Sequence, residues 1–406
     1  MRSHRRHILL CFLVSTLLAP APMLSAADRA GEVIATCELV ERAQRPWANG
    51  SSPVPPALLS ADLAEVPAKL SERVAFWHHV WADAGEGVVF LVDGRRPEIV
   101  HAVVDCGAYA HDDVEAKNRC GQNVTTASRA VRTTLRATDR ASKSTVRQRY
   151  ASAPTLKSDA ADHVRAVRGR KDALARAVVR AAPYLVELEE IFASHGVPTE
   201  LARLPIVESL FRPHAQSSAG AVGAFQFTTE TGKAYLRIDA AVDDRRDVLR
   251  AGDAAARYLA ALHRRFGRFD LALTAYNTGP GRLSRMIKKS GSKDLGVLIE
   301  RSDDGRFGFD GQNYVAQVLA TIAASDALSS TTSRASSDFA RLKTGASLAS
   351  LSRCLEMPVT TIVDANPGLT DAVRTGAYPV PKGYVLALPG IDLPRVALAE
   401  ALVDDA

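Results

Sequence analysis

The run LARLPIVESLFRPHAQSSAGAVGAFQF, from Leu201 to Phe227, constrains the fold more than any other stretch. Leu201, Leu204 and Glu208 stand at helical spacing, which puts one carboxylate on an otherwise apolar helix face. A carboxylate in such surroundings holds its proton to higher pH, the property a general acid needs. Pro205 is expected to disturb the helix just before Glu208. The plainer reading pairs Glu208 with a cation such as Arg212. A loop of Ser, Ala and Gly follows, in which Gly220 and Gly223 open backbone angles closed to other residues and let a ligand approach. Ser217 and Gln226 supply hydrogen-bonding side chains near its bends, suited to a neutral ligand rich in hydroxyls and amides.

The surrounding pattern is helical. Ser128 to His195 reads as mostly helix, broken near Pro154, and a further helix begins near Pro198. Asp247 to Phe266 carries Val248, Ala255, Leu259, Leu262 and Phe266 on one stripe, with Gly267 after it. DLALTAYN reads as a short helix capped by Asp270 and stopped by TGPG, and Tyr314 to Leu328 as another. Aromatic content is only 6%, which also favours helices over sandwiches. Residues 151–330 are therefore expected to form an all-α domain with one long loop. Residues 28–150 read as a small α+β extension without a catalytic constellation. It has a helix over Gly31–Gln44, a turn-rich linker, a helix over Leu70–Trp81 and a hairpin around Asp93-Gly94. Ser- and Thr-rich residues 331–338 read as a linker across which few contacts should pass. Residues 339–390 read as strand, helix, helix, strand. The expected fold class is mainly α.

At the N-terminus, a basic MRSHRRH, an apolar ILLCFLVSTLLA and a small-residue SAA predict a secretory signal over residues 1–27. The signal carries three arginines and no acid, leaving +3 of the formal +6, which does not imply nucleic acid. Export predicts a periplasmic or secreted protein, with no stable membrane insertion once the signal is cleaved. Positive charge concentrates between Arg129 and Arg180, as a solvated helix face or as attraction to an anionic polymer. Cys106 and Cys120, close in sequence, are the favoured disulfide pair, which would leave Cys37 with Cys354; four cysteines allow three pairings, and the sequence does not choose among them. No CxxC or HxxxH spacing occurs, so neither metal nor cofactor is expected.

ES-x-F-x-P-x-A-x-S-x-x-G-A-x-G-x-x-QF, followed by AYNTGPGR, resembles the soluble lytic transglycosylase family, which has a lysozyme-like fold. Within it the chain resembles the subgroup that includes membrane-bound lytic transglycosylase D. VDDRRDVLRAGDAAARYL and FGFDGQNYVAQVLA fit that subgroup too. The resemblance implies cleavage of the β-1,4 bond between N-acetylmuramic acid and N-acetylglucosamine in peptidoglycan strands, without water. It leaves a 1,6-anhydro end, in a Gram-negative cell envelope. It implies Glu208 as acid and then base, Ser217 and Gln226 positioning the sugar, Tyr276 and Asn277 lining the cleft, and Tyr314 hydrogen-bonding near the glutamate. Two departures stand out. Asp310-Gly311 replaces a frequent Glu-Thr before Tyr314, and Ala224-Phe225 replaces a frequent Leu-Trp or Leu-Met before Gln226.

LKTGASLASLSRCLEMPVTTIVDANPGL and PVPKGYVLALPG resemble a degenerate LysM module, a carbohydrate binder of βααβ form. That resemblance implies Gly345, Ser347, Asn366 and Pro367 as glycan contacts. The alternatives to a transglycosylase are a lysozyme-type hydrolase, with Asp239, Asp243 or Asp244 as second carboxylate, and a catalytically idle wall-binding protein.

Overall fold

A computed structural model describes residues 40–42, 63, 70–108, 113–149, 160–302, 304–326 and 337–389. The expected signal, most of the expected linker and Cys37 lie outside the described residues.

The fold is mainly α, as expected, with two small antiparallel sheets among the described residues. Helix α1 (Ser71–Ala82) buries Phe76, Trp77, Val80 and Trp81 at helical spacing. Strands β2 (Val88–Asp93) and β3 (Val100–Asp105) form the expected pair, opposing Phe90 to Val103. Helix α2 (Val114–Arg149) follows. Cys106–Cys120 closes the 14-residue step from β3 into α2, a closure worth about 3 kcal/mol by loop entropy. Cys354 is disulfide-bonded as well.

Strand β4 (Val164–Arg168) corrects the helical expectation for this region. Its Val-Arg-Ala-Val-Arg alternation buries Val164 and Val167 and pairs with β2, opposing Phe90 to Val167. Strand periodicity and a waiting sheet edge outweigh the helical preference of the flanks.

Helices α3 (Lys171–Ala181) and α4 (Leu185–Ser194) lead to a short 3-10 turn, Thr199–Arg203, and then α5 (Leu204–Ser209), which carries Glu208. Pro205 therefore sits where the helix starts, where its missing N–H is harmless, and does not break a longer helix. Helix α6 (Thr229–Lys233) is brief. Helix α7 (Val248–Phe266) is capped by Asp247, whose Oδ1 accepts from Leu249 N and Arg250 N, and ends at Gly267 with φ 84°.

Helix α8 (Phe269–Thr278) begins one residue before the expected cap. Arg268 is the N-cap, and Asp270 is buried in the first turn, ion-paired to Arg268 at 3.0 Å. TGPG does not end the helical run, because Pro280 opens α9 (Pro280–Ser290) directly. Helix α10 (Leu295–Arg301) follows, then α11 (Phe309–Asp326), longer at its start than expected. The N-terminal extension is bolted to α11. Trp77 Nε1 donates to Asn313 Oδ1 at 3.1 Å, and buried Arg73 donates to Gln312 O.

The C-terminal part holds β5 (Ser337–Leu342), α12 (Leu348–Cys354), α13 (Val359–Ala365), the unanticipated short α14 (Asp371–Arg374) and β6 (Val385–Pro389). Its sheet gains an edge strand from far away, β1 (Val40–Arg42), antiparallel to β5, where the sequence reads as helix.

Many contacts join this part to the helical body, against expectation. Its core takes in Ala241 and Val242, while Phe339 and Val385 pack into the main core. Asp243 N donates to Gly368 O at 2.8 Å, and Thr370 N to Ala241 O at 3.1 Å. Arg250 pairs with Asp244 and Asp247, stacks 4.4 Å from the Tyr384 ring centre and donates to Val385 O.

Arg250→Leu is expected to strand Asp244 and Asp247, at a cost of about 3–5 kcal/mol. The melting midpoint should fall by about 10 °C, and both parts should still melt in one transition. A separate early transition of the C-terminal part in calorimetry of the wild type would contradict the docking.

Candidate active site

Glu208 occupies the last turn of α5. The chain then leaves through two consecutive left-handed residues that are not glycine, Leu210 (φ 57°) and Phe211 (φ 59°). Such conformations cost roughly 1–3 kcal/mol each and persist where surroundings enforce them. Here the enforcement is visible. Arg180 donates from Nε and Nη2 to Leu210 O at 2.9 and 2.6 Å. Phe211 is fully buried, stacks on Tyr184, and its N–H returns to Pro205 O. Ser209 Oγ donates to Ala224 O and accepts from Arg212 N, tying the helix end to the loop.

The loop folds back on that anchor. Gly223 N donates to Ala215 O, and Val222 N to Phe227 O. Gly223 has φ 86°, and a Cβ there would lie 1.7 Å from Arg245 O, so no other residue fits. Ser217 spends its hydroxyl on the loop, accepting from Ala221 N at 3.0 Å. Gln226 is half-buried with φ 52°, and its Nε2 donates to Gly223 O at 2.8 Å. The resemblance assigned these two to sugar positioning. Their donor and acceptor atoms also brace the loop.

Glu208, Tyr276 and Tyr314 come together. Buried Tyr314, on α11, donates its hydroxyl hydrogen bond to Glu208 Oε1. Tyr276, on α8, donates to Phe225 O at 2.8 Å and packs against Phe227 and Tyr258. Asn277, next on α8, is exposed. Arg212, the alternative partner for Glu208, is exposed.

Burial pushes the Glu208 carboxyl up to about 7, against a smaller opposite effect of the Tyr314 hydrogen bond, which favours the ionised form. Both tyrosines are held well above the usual phenol range, by burial first and then by the charge of Glu208. They are therefore neutral hydrogen-bond donors at any physiological pH. Among the described residues, no other carboxylate contributes to the Glu208 shift.

The aspartates offered as a second carboxylate are committed elsewhere. Asp239 accepts from Arg237 and from the N–H groups of Ala241 and Val242. Asp243 holds Arg245, and Asp244 holds Arg250. Among the described residues, no group of three His, Cys, Asp or Glu is placed to hold a metal. No described helix is long and apolar enough to cross a membrane.

The C-terminal candidates do not converge in the same way. Asn366 is fully buried, donates to Ile362 O and Ala387 O, and accepts from Ala387 N, so its amide fastens β6. Ser347 caps α12 by accepting from Ser350 N. Gly345 is exposed, and Pro367 lines a cavity of about 390 Å³ against α7.

Sequence reasoning missed Arg180 and Ser209. Both act through backbone carbonyls, which leave no residue pattern to read.

Residues 189–298 match the family described as Transglycosylase SLT domain. The chain carries a transglycosylase SLT domain. It is 40% identical over 112 residues to membrane-bound lytic murein transglycosylase D of Escherichia coli K12, covering 27% of this chain and 25% of that one. It is 38% identical over 130 residues to the peptidoglycan transglycosylase gp16 of phage T7, covering 31% of this chain and 9% of that protein. A putative tributyltin chloride resistance protein of Alteromonas sp. M-1 is 35% identical over 123 residues, covering 30% of this chain and 59% of its own length. The chain thus spans about a quarter of the E. coli relative. Among solved structures, the E. coli soluble lytic transglycosylase SLT70 aligns at 22% identity over 36% of this chain and 25% of its own, with a TM-score of 0.29.

The raised Glu208 pKa makes the folded protein bind a proton that the unfolded chain has released. Stability is therefore lost as pH climbs from the unfolded value near 4.5 through about 7. Glu208→Gln removes this loss. Its melting midpoint relative to wild type should rise by about 5 °C between pH 4.5 and pH 8. An unchanged difference across that range would mean an ordinary carboxyl.

Proposed function

We propose that this protein is a peptidoglycan lytic transglycosylase of the cell envelope, with Glu208 as its one catalytic acid and base. The observation that carries the reading is one carboxyl, Glu208, pushed up to about 7 by burial, with no second carboxylate acting on it among the described residues. Protonated Glu208 gives its proton to the glycosidic oxygen as the C1–O bond breaks, and the N-acetylglucosamine portion leaves as an alcohol. The carboxylate so formed accepts Tyr314's hydrogen bond and faces a cationic anomeric centre. The 6-hydroxyl of the same muramic acid then bonds to C1 and returns its proton to Glu208. A 1,6-anhydro ring closes, no water is consumed, and the acid is regenerated.

A hydrolase of the same fold would need a partner carboxylate some 5–9 Å away, as base or nucleophile. The internal hydroxyl replaces it, which fits a site where Asp239, Asp243 and Asp244 serve the loop. An idle binding protein has no use for a carboxyl kept protonated at the cost of stability. Gln226, whose Oε1 has no partner among the described residues, and exposed Asn277 are the groups this reading assigns to the sugar. Export to the periplasm follows from the signal-like leader and from where the substrate lies.

Mass spectrometry of soluble products from purified sacculi tests this. Anhydro ends are expected, and reducing ends would establish a hydrolase. Glu208→Gln should lose about 10² to 10⁴ in rate. Tyr314→Phe should move the alkaline limb of the pH–rate profile upward, because the lost hydrogen bond favours the ionised carboxylate. A downward shift would contradict the role given to Tyr314.

A further inference from the structure

Arg180, in the last turn of α3, donates from both Nε and Nη2 to a single acceptor, Leu210 O, at 2.9 and 2.6 Å. A guanidinium fork is shaped to pair with a carboxylate. Among the described residues half-buried Arg180 has no carboxylate partner, and the charges that act on it are cations. Burial first, then Arg212 and Arg176, hold it below its ordinary range. Such a placement is unfavourable for a cation, and the two bonds to Leu210 O offset it.

Leu210 and Phe211 are consecutive left-handed residues that are not glycine, so the turn is strained and relaxes if it is released. The peptide between them is held at its N–H by Pro205 O and at its oxygen by Arg180. Among the described residues Leu210 O has no other donor. Glu208 lies two residues before that peptide. Its carboxyl meets the Tyr314 hydroxyl of α11, and its charge also acts on Tyr276 of α8. Relaxing the turn would swing the end of α5, and the carboxyl with it, away from Tyr314 and toward water.

We propose that Arg180 is a positioning residue for Glu208: by holding the Leu210 carbonyl it locks the left-handed turn that keeps the carboxyl shielded and against Tyr314. Its importance for catalysis rests on the transglycosylase reading. No hydrogen bond or ion pair joins Arg180 to Glu208 among the described residues, and the effect runs through the backbone. The charge of Arg180 is not among the causes of the Glu208 shift, which are burial and, smaller and opposite, the Tyr314 bond. Position and field have opposite signs here. Taking away a nearby cation raises a carboxyl, whereas taking away its shielding lowers it. Losing the Tyr314 bond as well would raise it, but by the smaller of the two effects, so relaxation of the turn moves Glu208 downward.

The test uses the full chain and two variants. Arg180→Met removes every donor at similar length, and Arg180→Lys keeps the charge and a donor for Leu210 O. Difference infrared titration follows the Glu208 C=O stretch, with the matching Glu208→Gln protein as blank, and needs no turnover. Arg180→Met should lower the midpoint from about 7 toward 4.5, and Arg180→Lys should lower it less. On soluble glycan strands Arg180→Met should lose about tenfold or more in kcat with KM unchanged, and its alkaline limb should move down with the infrared midpoint. Circular dichroism checks the fold, and if Arg180→Met does not fold, Arg180→Lys carries the same two readouts. An unchanged midpoint in a folded variant would overturn the proposal, since a merely structural arginine leaves it in place. A raised midpoint would overturn it too, since that is the mark of a field. So would equal losses in the Met and Lys variants. A wild type that yields no anhydro products would overturn the transglycosylase reading, and the infrared midpoint would still decide the effect of Arg180 on the carboxyl.

Discussion

The structure depends on shielding one carboxyl group, Glu208, which is half-buried. Glu208 lies at the end of a helix of a little more than one turn, where a side chain would ordinarily stand in open water. What limits its exposure is the turn after it. Leu210 and Phe211 take left-handed angles, Arg180 grips the Leu210 carbonyl, and Phe211 is driven into the core. The loop to Gln226 then closes over the helix end through Ser209 and Ala224. Desolvation and one hydrogen bond from Tyr314 remain to set the protonation of the group.

That turn is supported from both sides by segments outside the SLT domain. On one side the extension reaches α11, which carries Tyr314, through Trp77 and Asn313. On the other, the C-terminal part grips Ala240 to Asp243 and Arg250. Backbone just beyond Asp243, at Arg245, is what Gly223 packs against. Elements that read as accessories are therefore linked, through a few named contacts, to the loop that carries Gln226. The extension also contributes Lys117 to a cavity that Leu210 helps line.

How much was legible in the sequence follows from the range of the interactions. The carboxylate on an apolar face, the apolar stripe that stops at Gly267, the β2–β3 pair and the Cys106–Cys120 bridge are local signals, and each is present. Tyr314 and Tyr276 beside Glu208 came from family resemblance, since nothing in their spacing reveals that they meet it. Strand β4 and the three-residue β1 escaped because their partners are remote, and a short Val-Glu-Arg carries no usable period. Asp270 was misplaced as a cap because an acid in the first turn and an acid at the cap look alike. A Ser/Thr-rich linker suggested independence for the C-terminal part. Half-buried Arg250, in the first turn of α7, supplies the docking that composition could not reveal.

The central claim is that Glu208 is a carboxyl kept protonated near neutrality by burial. Difference infrared titration of the wild type against Glu208→Gln observes that group alone, by the loss of its protonated C=O stretch as pH rises. A midpoint about 7 is the result predicted here. A midpoint near 4.5, that of an ordinary exposed glutamate, in protein shown to be folded, would contradict it.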